Sequence, residues 1–185
     1  MIRLSENVPL PENVKVPGYN RRQTGIGIVH LGLGAFHRAH QALYTEDVLE
    51  RFSSDWAISG VSLRRPDIRN RMRPQDGLYT LLERDCSGDR LRIIGVVREI
   101  LYARENPDAV LERMASQQTR IVSLTVTEKG YCHDPASGKL NLNHPEIVHD
   151  LEHPRQPQSA LGFIVRSLEM RLSAGLPPFT ALSCD

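Results

Sequence analysis

Cysteine is scarce in this chain. Cys86, Cys132 and Cys184 are the three among 185 residues, odd in number and widely spaced, which excludes a disulfide framework and a CxxC metal motif. A dominant charge is missing as well. The 23 basic residues nearly cancel the 22 acidic ones for a net +1, so no electrostatic case exists for a nucleic-acid or acidic-membrane partner. No apolar run approaches the ~20 residues a bilayer span needs. Glu6, Pro9, Pro11, Glu12 and Lys15 interrupt any signal-peptide core. A G-x-S-x-G nucleophile elbow and a P-loop GK[ST] are both absent, so the local marks of α/β hydrolases and P-loop NTPases do not occur. The remaining composition is that of a globular domain, 40% hydrophobic and 24% charged. A soluble, cytoplasmic α/β protein is expected.

What is present alternates. Residues 1–24 are polar, aperiodic and proline-containing, and read as an extended leader. Residues 25–185 read as one domain. Gly25-Ile-Gly-Ile-Val-His-Leu31 and Trp56-Ala-Ile-Ser-Gly-Val-Ser-Leu63 have the apolar, β-branched texture of buried parallel strands. Between them a helix is expected from about Phe36 to Arg51, with Ala35, Ala39, Ala42 and Leu49 on one stripe. Arg64 to Gln75 is basic, with a possible helix start at Pro66. Segments 78–82 and 91–97 read as two strands around a polar turn. Asn106 and Pro107 open a helix carrying Val110, Leu111 and Met114. Strand 120–126 follows, then a proline- and histidine-rich surface excursion over 133–158 with a short hairpin near residues 135–138. Ser159 caps a helix with Leu161, Ile164, Val165, Leu168 and Leu172 on its apolar stripe, stopped by Gly175 and Pro177. Phe179 to Ser183 reads as a last strand. Strands and helices in this order predict a mostly parallel sheet with helices on both faces.

The strongest local motif is Ile28-Val-His-Leu-Gly-Leu-Gly-Ala-Phe-His-Arg-Ala39. A strand that delivers Gly-x-Gly into a helix start creates an anion site, because the glycines admit a diphosphate close to free backbone amides. Gly32 and Gly34 fit the first two glycines of the dinucleotide fingerprint, and His37 stands at the third. At the tip of the second strand, where an acidic residue is expected ~20 positions on, stand Arg64 and Arg65, and Asp67 follows two or three residues late. Arginine there could receive a 2′-phosphate or form a solvated basic turn, so NAD and NADP both remain open. Thr125, Thr127, Glu128 and Lys129 end a buried strand at the sheet edge where ligands sit, placed to touch a nicotinamide ribose or relay a proton. The histidine pairs 37/40 and 149/153 lack a third ligand at recognised spacing, so no metal is expected.

Gly32-Leu-Gly-Ala-Phe-His-Arg-Ala-His-Gln41 resembles the N-terminal motif of the polyol-specific long-chain dehydrogenases, the family of mannitol 2-dehydrogenase and mannonate oxidoreductase (fructuronate reductase). Gln75-Asp-Gly-Leu-Tyr-Thr80, Thr125-Val-Thr-Glu-Lys-Gly-Tyr131 and Leu182-Ser-Cys-Asp185 are similar to the same family, so the likeness runs from residue 26 to 185. It implies a Rossmann domain, NAD(H), and hydride exchange between a polyol or sugar acid and the matching ketone. Gly32, Gly34, Ala35, Phe36, His37 and Arg38 match the family's cofactor segment, and Glu128 its stretch near nicotinamide and substrate. Residues 129–132 lean toward the mannonate branch. Family members are more than twice as long, with a helical second domain that carries the catalytic lysine, asparagine and histidine. Lys15, Lys129 and Lys139 do not stand in the Lys-x4-Asn-x2-His arrangement. The resemblance therefore implies an N-terminal portion, inactive alone and prone to self-association through uncovered apolar surface. The other reading is a nucleotide-binding module without catalysis.

Overall fold

The computed structural model describes residues 3–52, 54–86, 88–126 and 128–184. Strand β1 (Ile26–Leu31) is the centre of a five-stranded sheet. β2 (Ala57–Ser62) and then β5 (Val97–Tyr102) extend it on one side, β6 (Ile121–Leu124) and β7 (Thr180–Ser183) on the other, giving the order β5-β2-β1-β6-β7. Every pairing in it is parallel. The chain first builds outward from β1 in one direction and then returns to build in the other. The crevice at the carboxyl ends of β1 and β6 is thus the point where an α/β sheet opens for ligands.

Parallel strands with helices on both sides must be apolar on both faces, and β1 is. Val29 and Leu31 join one core with Val61, Val110, Met114, Val122 and Phe163; Ile28 joins the other with Leu33, Ala42, Leu49, Ile58 and Met72. The first core is roofed by α4 (Pro107–Ala115) and α6 (Ala160–Ser173), the second by α2 (Gln41–Arg51) and α3 (Asp67–Met72). Phe163, 1% exposed, contributes about 1.5–3 kcal/mol by leaving water. Caps act as the sequence predicts: Asn106 accepts from the Ala109 amide at 3.0 Å and Ser159 from the Gly162 amide at 2.9 Å. Among the described residues no helix is long and apolar enough to cross a membrane.

Four local expectations are corrected. The first helix is two: α1 (Ala35–Ala39) and α2, bent at His40 with φ −123° and ψ −82°. In one straight helix His37 and Ala42 would lie about 140° apart around the axis, yet both are fully buried; the bend resolves that conflict. The strand expected over 91–97 ends early. β4 (Gly88–Ile94) pairs antiparallel with β3 (Tyr79–Asp85) in a separate hairpin, and β5 is a further strand beyond the corner at Gly95 and Val96. The excursion holds the isolated bridge His133–Leu140 and also an unforeseen helix, α5 (Pro145–Glu152), capped by His144 with Pro145 at its first position. Finally, α6 turns Ala160, Phe163, Ser167 and Arg171 inward and leaves Val165 and Leu172 exposed. Arg171 is buried because its guanidinium satisfies the carbonyls of Ser116, Thr119 and Pro177.

Ahead of β1 the chain meets the hairpin, where Lys15 bridges Arg92 in parallel. Arg21, 5% exposed, reaches Gly95 O at 2.8 Å and the Glu6 and Asp76 carboxylates at 3.0 and 3.2 Å. The corner itself is held by Glu46 of α2. One of its oxygens accepts the amides of Gly95 and Val96 at 2.9 and 2.7 Å and the Tyr19 hydroxyl at 2.9 Å. Burial pushes this carboxyl above its ordinary value. Glu46→Ala leaves two backbone donors and a phenol without their acceptor, and an expected loss of about 3 kcal/mol follows. Urea denaturation measures it; a loss under about 1 kcal/mol would show that water replaces the carboxylate.

Candidate functional site

β1 carries the chain straight into Gly32, whose amide continues the ladder to Val61 O at 3.0 Å. Gly32 has φ +102°, and a Cβ there would run into the Thr125 carbonyl. Leu33 then dips into the core, 3% exposed, and Gly34 opens α1. A Cβ on Gly34 would find only Gly32 O, at 3.6 Å. The turn joins a strand to a helix and is not filled by its own side chains. The first amides of α1 have no acceptor within the helix, as at any helix start.

Beneath the turn lies a hydrogen-bonded chain whose direction is fixed at one end. A carbonyl can only accept, so the Thr125 hydroxyl donates to Gly32 O at 3.1 Å. Thr125 Oγ1 must then accept from His30 Nε2–H, 2.9 Å away. That tautomer leaves His30 Nδ1 to accept from the Ser123 hydroxyl at 2.8 Å. Ser123 accepts in turn from Gln41 Nε2 at 3.1 Å, and Gln41 Oε1 accepts from His37 Nδ1 at 2.9 Å. His37 Nε2 ends the chain as a buried acceptor without a partner among the described residues. The two imidazoles, both 0% exposed, stack with centroids 3.6 Å apart. Burial, first of all, drives the His30 pKa down to about 2 and that of His37 to about 4. Both rings are neutral at pH 7, as the donor pattern requires.

Gly32, Gly34, Arg64 and Thr125 come together on one open cleft of about 490 Å3, with Arg65, Val126 and Glu146 also on its wall. The other sequence-derived candidates do not line it. His37 is underneath. Arg38 folds back to donate to Leu33 O at 2.9 Å, while Tyr79 donates to Arg38 O at 2.6 Å. Ala35 and Phe36 are exposed at the start of α1, the Phe36 ring 4.6 Å from that of His40. Thr127 lies outside the described residues, and Glu128 is described only as the start of a 3-10 turn, Glu128–Tyr131. Sequence reasoning passed over His30, Gln41, Ser123 and Glu146. A histidine inside an apolar parallel strand was the available signal for the first.

One ligand atom each from Cys132, His144 and Glu146 come within 4.8 Å of one another. Glu146 is already shared by Arg64 at 3.3 Å and Arg104 at 3.9 Å, in the first turn of α5 at the positive end of its dipole. Burial raises the Cys132 thiol, and Glu146 adds to the rise. The Glu146 carboxylate is thus already engaged by two arginines, and we read the group as the anchor of α5.

Residues 26–185 match the family model described as the mannitol dehydrogenase Rossmann domain. The chain belongs to the mannitol dehydrogenase family. The uncharacterised oxidoreductase YeiQ of Escherichia coli (strain K12) is 48% identical over 181 residues, covering 97% of this chain and 37% of the relative. D-mannonate oxidoreductase of the same organism is 49% identical over 173 residues, covering 91% of this chain and 36% of the relative. The chain therefore spans little more than a third of the length of these relatives. Among solved structures, Pseudomonas fluorescens mannitol 2-dehydrogenase, described as a ternary complex with NAD and D-mannitol, superposes with a TM-score of 0.93 at 42% identity. The match covers 100% of this chain and 39% of that one. The family's Rossmann fold is thus the fold seen here, with strand order, glycine turn and flanking helices in place.

Proposed function

We propose that this chain is the cofactor-binding part of an oxidoreductase that moves hydride between NAD(H) and a polyol or sugar acid, of the mannonate/fructuronate or mannitol/fructose type. The observation that carries the reading is the open turn at Gly32 and Gly34, set at the point where the sheet order reverses and facing the cleft with Thr125 and Arg64. The Gly34 side of the turn has room for a pyrophosphate, and the amides opening α1 supply its donors. Family membership and the NAD named in the Pseudomonas fluorescens complex support the cofactor; the mannonate and mannitol relatives support the substrate class. Residues 25–185 form the binding domain in this reading, with residues 1–24 as its leader.

The 185 residues bind without turning over. Hydride transfer from an alcohol needs a base to take the hydroxyl proton. Neither Lys15 nor Lys139 lines the cleft, and Lys129 is not placed in the family's catalytic arrangement. Exposed Leu151, Val165 and Leu172 support self-association of the chain, and the near-even charge is compatible with a cytoplasmic setting. Titration with NADH, followed by nicotinamide fluorescence, is expected to saturate, while fructuronate and fructose leave NADH unoxidised. Saturation by NADH is the decisive result; its absence at millimolar cofactor removes the redox reading, and turnover above background removes the incompleteness.

A further inference from the structure

The Gly32 carbonyl is held by a closed count of hydrogens. Its oxygen accepts from the Gly34 amide at 2.5 Å and from the Thr125 hydroxyl at 3.1 Å. Contacts in series lead to it, from Gln41 to Ser123, to His30, to Thr125 and so to Gly32. Each contact needs one hydrogen, and the four side chains supply one apiece: an amide N–H, a hydroxyl, a ring N–H and a second hydroxyl. The count closes only when every hydrogen points toward Gly32. The far end permits this because Gln41 is an amide, with Nε2 toward Ser123 at 3.1 Å and Oε1 taking His37 Nδ1–H at 2.9 Å. Gln41 Oε1 also lies 3.2 Å from Ser123 Oγ, so a carboxylate of the same shape would accept from that hydroxyl. His30 and Ser123 are both 0% exposed, which denies the middle of the chain a substitute hydrogen from bulk water.

We propose that His30, neutral and protonated at Nε2, is a positioning residue for the turn at Gly32, and that the Gln41 amide on α2 maintains that form. The inference rests on the cofactor reading above for its effect on NADH and deepens it; the tautomer stands apart from it. The peptide joining Gly32 to Leu33 is planar, so an anchored Gly32 oxygen also fixes the direction of the Leu33 amide. Reversal of the chain would turn the Thr125 hydroxyl toward His30 Nε2. Two acceptor oxygens would then face each other at 3.1 Å with no hydrogen between them. The peptide would have to move, and the cleft wall with it. The groups facing the ring are few. His37 of α1 stacks on it, Arg38 acts on His37, β6 brings the two hydroxyls, and β2 places Gly60 alongside. Among the described residues no carboxylate is bonded to either ring, so nothing there draws a proton onto His30.

Gln41→Glu, made in the full chain, is the test. A carboxylate has no hydrogen to give, so the contacts are left one short and Ser123 turns toward it. A proton gained by His30 or by the new carboxyl completes the count again, and this is favoured as the pH falls. Nitrogen-15 spectra of labelled histidine read the ring directly. Wild type is expected to carry the His30 hydrogen at Nε2 alone. In the variant at about pH 8 that hydrogen moves to Nδ1 and NADH binding weakens about tenfold. At about pH 6 the variant returns to within about twofold of wild type, whose own affinity changes by less than that between the two pH values. A merely structural defect would weaken binding equally at both. A folded variant that keeps a neutral ring with its hydrogen at Nε2 overturns the proposal, as does a moved hydrogen with unchanged NADH affinity. If Gln41→Glu does not fold, or holds the extra proton throughout, Thr125→Val and Thr125→Ser decide. Valine gives Gly32 O no donor and weakens NADH binding about tenfold, whereas serine preserves it; equal affinities overturn the proposal. A wild type that binds no NADH removes the cofactor reading, while the spectra still decide the tautomer.

Discussion

Lowering the pH from 7 to about 4 is expected to unfold this domain, with most of the loss below pH 6. The cause is the stacked pair His30 and His37, both 0% exposed and held down to about 2 and about 4. Burial is the main cause for each. The neighbouring His37 adds to it at His30, and Arg38 adds to it at His37. In the unfolded chain both rings titrate near pH 6.5. Below that value the unfolded state takes up two protons that the folded state refuses, so stability is fully present above pH 6.5 and falls as the pH drops. The slope approaches about 2.7 kcal/mol per pH unit while both differ, and His30 continues after His37 has titrated. Over two units this is several kcal/mol, comparable with the whole 5–15 kcal/mol of a typical domain. Glu46 opposes it, because a carboxyl raised in the folded state binds its proton there first and adds stability as the pH falls. One such group does not offset two histidines. Denaturant midpoints at pH 7.5, 6, 5 and 4.5 provide the measurement, and His37→Gln should roughly halve the slope. Equal stability at pH 7.5 and 4.5 would mean that the rings are solvated or already charged.

The sequence carries those parts of the fold whose causes are local. β1 and β6 follow from β-branched runs, α4 and α6 from their caps and apolar spacing, and the glycine turn from its position between strand and helix. The departures all have distant causes. The bend at His40 lets Gln41 join His37 to Ser123 of β6, and the corner between β4 and β5 is held by Glu46 of α2. Nothing near residue 95 shows that a carboxylate will arrive there. The inward face of α6 was ambiguous because Ala160, Leu161, Phe163, Ile164 and Val165 are apolar on most sides of the helix; Phe163 and the carbonyl-binding Arg171 decide it. In the site the same division holds. Gly32, Gly34, Arg64 and Thr125 were legible because their places at strand ends bring them to one edge. His37 belongs to the segment that resembles the family's cofactor motif, and its fully buried ring lies below the turn. Glu146 could not be found from its own surroundings, since α5 was unforeseen and its meeting with Arg64 spans 82 residues.

The two glycines of the turn should fail differently when changed to alanine, and the difference locates the cofactor. Gly32 sits at φ +102°, a backbone state that L side chains rarely adopt, and its Cβ would strike the Thr125 carbonyl. Thr125 cannot yield freely, because its hydroxyl ends the chain through His30, Ser123, Gln41 and His37. Gly32→Ala is therefore expected to cost about 3 kcal/mol or more and to abolish NADH binding with the fold. Gly34 has φ −83° and ψ −178°, which any residue adopts, and its Cβ would meet Gly32 O at an ordinary 3.6 Å. Gly34→Ala should leave stability within about 0.5 kcal/mol. Its methyl group instead occupies the space through which a pyrophosphate approaches the backbone, so NADH affinity falls about tenfold or more. Thermal melts and NADH titrations on the two variants separate these effects. A Gly34→Ala chain that melts and binds like wild type would place the diphosphate away from this turn, since a methyl on that surface cannot be indifferent to an anion held against it.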